Sequence, residues 1–237
     1  MNAMHAVAWD VDGTLVDSEP LHLRALQAVC QDHGVDIRDQ GPTPFIGVAI
    51  ADVWRRLAKR FEPALGHHAD QGEQVFRSCI TAHYLAHATE VRVLAGAREA
   101  LERLACEGVA LAAVSNSERA IVMANLRVIG AKVRFKAIVS LDDVQEPKPA
   151  PEPYARALAM LGVSAGSTWA VEDSPSGARS ARAAGLRVLV VGDDPHAQGD
   201  HRLKGLTDFM PWWQSIQAQD LDVRREATPL PVTGVSA

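Results

Sequence analysis

The chain has 237 residues, of which 47% are hydrophobic, enough for one large domain or for one core with a smaller companion. Its formal net charge is -5 and its pI is about 6.0, so it lacks the excess of basic residues that binding to nucleic acid or to an anionic membrane requires. We therefore expect neither of these partners, and we expect any bound anion to be held by a local site.

Cysteine usage and hydropathy favour a soluble cytoplasmic protein. Cys30, Cys79 and Cys106 are far apart, odd in number and without Cys-x-x-Cys spacing, which favours small core residues in a reducing compartment. The first apolar run is interrupted at Asp10, too early for a secretory signal, and no later run approaches the length of a membrane span.

Five short apolar runs predict strands, and their continuous apolar character is typical of a parallel sheet that is covered on both faces. The first, AVAW, ends at Asp10, and the others end at Ser115, Ser140, Glu172 and Gly192. Helical patterns separate most of them: Ser117 could cap one helix, Ser174 with Pro175 begins another, and glycines follow the helix ends. This alternation predicts a doubly wound α/β core with right-handed crossovers.

The segment between the first strand and the rest of the core has a different character. It has three helical patterns and no convincing strand, which predicts a helical insert within the α/β domain. We expect a catalytic core of residues 1–16 and 91–220, a helical cap of residues 17–90 and a tail of residues 221–237. The segments 15–18 and 90–96 are the expected hinges.

Asp10 and Asp12 follow the first strand. On an extended backbone their side chains point to the same side, and Gly13 then allows a sharp turn. Ligands of open α/β sheets bind at the carboxyl ends of the strands, and two close carboxylates require a cation or a shared proton. A turn in which both aspartates only cap loop amides is the alternative.

Other strand ends supply matching groups. Ser115 and Asn116 could hold an anion near a helix N-terminus, or could form an ordinary helix cap. Lys148 stands between prolines and could neutralise an anion, or could be a solvated loop lysine. Glu172 and Asp173 precede a capped helix, and with the first aspartates they offer the hard oxygen ligands that suit Mg²⁺.

These segments resemble, in order and spacing, the four motifs of the haloacid dehalogenase superfamily of phosphohydrolases. The matching pieces are DVDGTLVDSE, the strand end at Ser115, the Lys-Pro-x-Pro context of Lys148, and EDSPSGARSARAAG. The helical insert resembles the small cap of the β-phosphoglucomutase and phosphoglycolate phosphatase subgroup. The resemblance covers residues 5 to 192 and implies a Rossmann-like core with that cap.

The resemblance also implies roles for the site residues. Asp10 is the implied nucleophile, which forms an aspartyl-phosphate, and Asp12 is the implied general acid and base, which asks Asp12 to hold a proton near neutral pH. Mg²⁺ is the implied cofactor. The expected metal ligands are Asp10, Asp173 and the main-chain oxygen of Asp12, with support from Glu172, and the expected phosphate-binding residues are Ser115, Asn116 and Lys148.

The expected activity is therefore the Mg²⁺-dependent hydrolysis of small phosphomonoesters, sugar phosphates above all, by a monomer. In the cap, His22 and Gly47 are candidate substrate-binding residues, although a position of His22 on the helix surface, without a catalytic role, is slightly favoured. A phosphosugar mutase is the main alternative, weakened because Ala49, Ile50 and Ala51 stand where that branch has a basic residue. A phospho-receiver domain, a dehalogenase and a catalytically silent binding protein each fit the motifs less well. His83 with His87, and His67 with His68, are expected on the surface or at the edge of the core.

Overall fold

The computed structural model describes residues 6–38, 45, 48, 50–65, 69–130 and 135–227. In chain order, its strands are β1 (Ala6–Trp9), β2 (Val16–Asp17), β3 (Arg92–Val93), β4 (Ala110–Val114), β5 (Ala137–Val139), β6 (Thr168–Glu172), β7 (Arg187–Val191) and β8 (His201–Leu203). Its α-helices are α1 (Glu19–Asp32), α2 (Ile50–Leu65), α3 (Ala69–His87), α4 (Ala97–Cys106), α5 (Arg119–Ile129), α6 (Glu152–Leu161), α7 (Pro175–Ala183) and α8 (Phe209–Ala227).

The main sheet of the described chain is parallel throughout, with the strand order β5-β4-β1-β6-β7-β8. Because β1 lies between β4 and β6, the chain segments that follow these three strands meet at one edge of the sheet. The five predicted strands and the doubly wound arrangement are confirmed.

Both faces of the sheet are covered, which explains why strands β1, β4 and β5 are apolar at every position and β6 and β7 at most positions. Val7 and Trp9 of β1 belong to a core cluster that includes residues of α4, α5 and α8. Ala8 belongs to a second cluster with residues of α6 and α7. Alternation along one strand therefore divides the core into two layers.

Within the described residues of the insert, α1, α2 and α3 correspond to its three apolar patterns. Trp54, Phe61 and Phe76 pack together inside it, with ring centroids 5.1 to 5.8 Å apart. The two segments that we expected as hinges contain β2 and β3, which pair antiparallel. Val75 departs from the prediction: it is 42% exposed rather than part of the apolar stripe of α3.

Other parts of the chain also differ from the sequence-based expectation. The interpretation of Cys106 as a core residue is wrong, since this free thiol is exposed at the end of α4, whereas Cys30 is buried. Helix α8 extends to Ala227 and so includes the first residues of the expected tail. Among helices in the described ranges, none combines the length and the apolarity that a membrane span needs.

Candidate active site

The turn after β1 brings Asp10 and Asp12 to the edge of the sheet where β4 and β6 also end. Gly13 adopts a φ of +88°, and a Cβ at this position would lie 2.2 Å from Oδ2 of Asp173. Glycine is therefore required here both by the backbone conformation and by the close approach of the segment that follows β6.

Lys148 connects the ends of three strands. Its Nζ donates to Oδ1 of Asp10 at 2.6 Å, to Oε1 of Glu172 at 2.6 Å and to the main-chain oxygen of Val114 at 2.9 Å. Burial lowers the pKa of this ammonium, but Asp10 and Glu172 outweigh that effect and hold the pKa above its usual value. Lys148 therefore carries a full positive charge at the centre of the site.

Two buried hydroxyls orient the acidic pair that ends β6. The Tyr154 hydroxyl donates to Oε1 of Glu172 at 2.6 Å, and the Thr14 hydroxyl donates to Oδ1 of Asp173 at 3.2 Å. Ser174 caps α7 as predicted, since its Oγ accepts a hydrogen bond from the amide of Gly177. The two carboxylates are thus fixed at the beginning of this helix.

Asp10, Glu172 and Asp173 form an acidic cluster, each offering a carboxylate oxygen within 4.8 Å of the others. Oδ2 of Asp10 is buried and has no hydrogen-bond partner among the described residues. Burial raises the pKa of Asp10 well above its usual range despite Lys148, and burial together with Glu172 raises the pKa of Asp173 to about 7. Three hard oxygen donors, an unpartnered buried oxygen and excess negative charge together fit a divalent cation such as Mg²⁺.

The side chain of Asp12 is turned to a different set of partners. Its Oδ1 accepts hydrogen bonds from Ser18 (2.8 Å) and Asn125 (2.9 Å), and its Oδ2 accepts from Ser115 and Ser117, both at 2.9 Å. The Asp12 carboxylate therefore lies outside the acidic cluster, and only its main chain remains available to a metal there.

His22 and two of these donors decide the charge of Asp12. Burial raises its pKa, but His22, and after it the hydrogen bonds from Ser18 and Ser115, outweigh burial and hold the pKa well below its usual range. This differs from the expectation that Asp12 holds a proton near neutral pH: in this conformation it is a carboxylate, ready to accept one.

The other predicted site residues have the following positions. His22 on α1 lies beside the site, with its Nε2 3.8 Å from Oδ1 of Asp12. The side chain of Asn116 pairs with both main-chain groups of Lys148, at 2.9 and 3.0 Å, so it positions the lysine segment. Ser117, expected as a helix cap, instead donates to Asp12, and Glu118 occupies the cap position. Gly47, His67 and His68 lie outside the described residues.

Five residues of the site were not predicted from the sequence: Thr14, Ser18, Tyr84, Asn125 and Tyr154. Asn125 carried a usable signal, because an amide within the apolar stripe of α5 needs a buried partner. Tyr154 also lies within an apolar pattern, where nothing in the sequence distinguishes a hydroxyl that binds a carboxylate from one that reaches solvent.

Known proteins resemble this chain over most of its length. Residues 7–191 match the model of the family described as haloacid dehalogenase-like hydrolase. Protein CbbY of Rhodobacter capsulatus is 31% identical over 83% of this chain and 88% of its own length. Hexitol phosphatase B of Escherichia coli K12 is 32% identical over 83% of this chain and 87% of its own.

A solved structure has the same architecture. A variant of CbbY from Rhodobacter sphaeroides, in complex with xylulose-(1,5)bisphosphate, aligns with a TM-score of 0.71 and 26% identity over 85% of this chain and 94% of that one. The chain belongs to the haloacid dehalogenase-like hydrolase family.

Proposed function

We propose that the protein is a Mg²⁺-dependent phosphatase that hydrolyses small phosphomonoesters through an aspartyl-phosphate on Asp10. The observation that carries this proposal is the state of Asp10: one carboxylate oxygen is held by Lys148, and the other is buried without a partner among the described residues. A fixed carboxylate with a free oxygen beside a buried cation suits nucleophilic attack on phosphorus.

In the first step, an oxygen of Asp10 forms a bond to phosphorus while the bond to the departing alkoxide breaks. Lys148 stabilises the negative charge that moves to the transferring oxygens. Asp12 protonates the alkoxide with the proton that it took from water in the second step of the preceding turnover. To hold this proton, at least one of its hydrogen-bond donors must turn away, because a protonated carboxyl oxygen is itself a donor.

In the second step, Asp12 takes a proton from water, the resulting hydroxide attacks phosphorus, and the bond between phosphorus and Asp10 breaks. The carboxylate form that the structure gives to Asp12 is the form this step needs. Mg²⁺, held by Asp10, Asp173 and the main-chain oxygen of Asp12 with support from Glu172, would reduce the repulsion between the anionic nucleophile and the anionic substrate.

The α/β part and the helical part of the chain would have different roles. Residues 1–16 and 91–220 would form the catalytic core, and residues 17–90 would form a cap that closes over it, excludes bulk water and selects the substrate. Sugar phosphates are the favoured substrates, because one relative is a hexitol phosphatase and another is bound to a sugar bisphosphate. We also propose that the protein is a monomer and that it acts in the cytoplasm.

A screen of phosphorylated metabolites with Mg²⁺ tests this function. Sugar phosphates, including β-glucose 1-phosphate, are incubated with the protein, and both free phosphate and isomerised product are measured. We expect stoichiometric phosphate release that stops when Mg²⁺ is chelated. Isomerised product without free phosphate would identify a mutase instead, and neither product from any compound would contradict the proposal.

A further inference from the structure

A chain of buried hydrogen bonds connects the helical insert to Asp12. The Tyr84 hydroxyl on α3 donates to Oδ1 of Asn125 at 2.8 Å, and Nδ2 of Asn125 on α5 donates to Oδ1 of Asp12 at 2.9 Å. Tyr84 and Asn125 are both 0% exposed. The ring of His22 packs against Tyr84, with centroids 4.5 Å apart, so α1 and α3 both approach Asp12 here.

The direction of each hydrogen bond in this series follows from the chemistry of its donor and acceptor. A carboxylate only accepts hydrogen bonds, so the amide nitrogen of Asn125 must face Asp12, and its oxygen must then face the hydroxyl of Tyr84. Each partner fixes the orientation of the next. A displacement of Tyr84 would therefore leave the amide oxygen without its donor and free the amide to turn away from Asp12.

A second contact joins the same two helices without reaching Asp12. Glu118, at the beginning of α5, accepts hydrogen bonds from Arg77 at 3.1 Å and from Thr81 at 2.6 Å. This contact holds α3 against α5, but its side chains do not bind Asp12. A variant that weakens this contact is therefore a matched control, because it affects the packing of the insert against α5 but not the hydrogen bonds to Asp12.

We propose that Asn125 is a positioning residue that orients the Asp12 carboxylate for proton transfer, and that Tyr84 makes this orientation depend on the placement of the helical insert. The proposal rests on the proposed phosphatase function and assigns to that reaction two residues that do not touch the transferred phosphoryl group. It predicts that the two residues act through each other.

Two substrates separate this role from a merely structural one. Nitrophenolate can leave p-nitrophenyl phosphate without a proton, so only the water step needs Asp12. Loss of positioning should then lower kcat and KM together and leave kcat/KM within about twofold, because kcat/KM reports only the steps up to nitrophenolate release. A sugar phosphate releases an alkoxide that needs a proton, so its kcat/KM should fall as well.

Three variants test the proposal. For Asn125→Ala we expect kcat for p-nitrophenyl phosphate to fall about tenfold or more, since small misplacements of a catalytic group are costly. For Tyr84→Phe, which keeps the ring, we expect a fall of about three- to tenfold, the range for one lost hydrogen bond. The double variant should be no slower than Asn125→Ala alone, because Tyr84 acts through Asn125. Circular dichroism establishes that each variant is folded, and if Asn125→Ala is not, Tyr84→Phe carries the test.

Thr81→Val is the control, since it removes a hydroxyl from the same helix contact without touching the chain to Asp12. We expect its kcat to stay within about twofold of the wild type. Equal losses in Thr81→Val and Tyr84→Phe, additive losses in the double variant, or unchanged kcat in folded Tyr84→Phe would overturn the proposal while leaving the phosphatase function intact. A wild-type protein that cleaves neither substrate would instead overturn the proposed function, and this proposal with it.

Discussion

The charges of the acidic cluster are balanced only in part by the protein itself. Asp10, Glu172 and Asp173 lie together, and Lys148 contributes one positive charge to them. Burial and Glu172 raise the pKa of Asp173 to about 7, which is far above the value it would have in the unfolded chain. A proton on Asp173 therefore neutralises part of the negative charge that we assign to a metal ion for neutralisation.

Proton binding at Asp173 should make Mg²⁺ affinity depend on pH. Because the metal binds the deprotonated carboxylate, the apparent Kd should be about tenfold larger at pH 6 than at pH 8 for a competing proton with a pKa near 7. Isothermal titration calorimetry at the two pH values measures this ratio. Asp173→Asn, which removes this titrating carboxyl group and keeps Asp10, serves as the comparison and should bind Mg²⁺ weakly at both pH values.

The same proton links stability to pH in metal-free protein. Since the pKa of Asp173 is raised on folding, its protonation stabilises the fold at low pH, and this contribution is lost as the pH rises through about 7. Added Mg²⁺ should thus raise the melting temperature more at pH 8 than at pH 6. Equal shifts at the two pH values would show that Asp173 does not exchange a proton for the metal.

For individual side chains, the sequence indicated which ones belong to the site but not which hydrogen-bond partners they have. Asp10, Lys148 and Asp173 could be assigned to one edge because apolar patterning predicts parallel strands before them, and parallel strands have their carboxyl ends at the same edge of a sheet. Asn116 and Ser117 could not be assigned, because an amide or a hydroxyl can bind a phosphate, a main-chain group or a carboxylate equally well. Only the positions of the neighbouring atoms select among these partners.

Among the secondary-structure elements, α7 most directly supports the acidic cluster. A Cβ at Gly177, in its first turn, would lie 1.9 Å from Oε1 of Glu172. The beginning of the helix therefore fits closely under this carboxylate, and Glu172 also holds Lys148 and Tyr154. The helix and the strand before it must keep their present spacing for the cluster to form.

Gly177→Ala should disturb this spacing. We expect a loss of about 1 to 3 kcal/mol in the free energy of unfolding, as for other overpacked sites, together with weaker Mg²⁺ binding because Glu172 must move. Thermal unfolding and calorimetric titration measure the two effects. Gly166→Ala is the matched control, since a Cβ there would meet nothing within 4 Å. If both variants behave like the wild type, the packing of α7 against Glu172 is not tight.

The elements differ in how well their sequence revealed them. The five predicted strands, β1, β4, β5, β6 and β7, are mostly apolar because both faces of the sheet are covered, and that pattern was sufficient to predict them. Strand β8 was missed because its residues, His201 to Leu203, are exposed or only half-buried at the sheet edge. β2 and β3 are two residues long each, too short for any periodicity.

For the whole molecule, helix α8 completes one face of the sheet with a cluster of aromatic side chains. Phe209 is 0% exposed and lies against Trp9 of β1, with ring centroids 4.9 Å apart. Trp212 packs edge-on against Trp169 of β6 at 4.9 Å. These contacts lie beneath the two strands that carry the acidic cluster, so the support of the site extends across the thickness of the molecule.

Phe209→Ala should therefore destabilise the whole protein. Truncation of a fully buried phenylalanine is expected to cost about 3 to 5 kcal/mol, measured by urea unfolding. Met160→Ala, at a side chain that is 52% exposed, should change stability by less than about 0.5 kcal/mol. Similar values for the two variants would mean that α8 contributes little to the core.

The central claim is that Asp10 becomes phosphorylated, and mass spectrometry of the quenched protein tests it most directly. Protein mixed with Mg²⁺ and a phosphorylated substrate that it hydrolyses is stopped in acid, digested and mapped. We expect one phosphoryl group on the peptide that contains Asp10. In folded Asp10→Asn protein we expect neither this group nor phosphate release. A phosphoryl group on another residue, or continued phosphate release by Asp10→Asn, would contradict the claim.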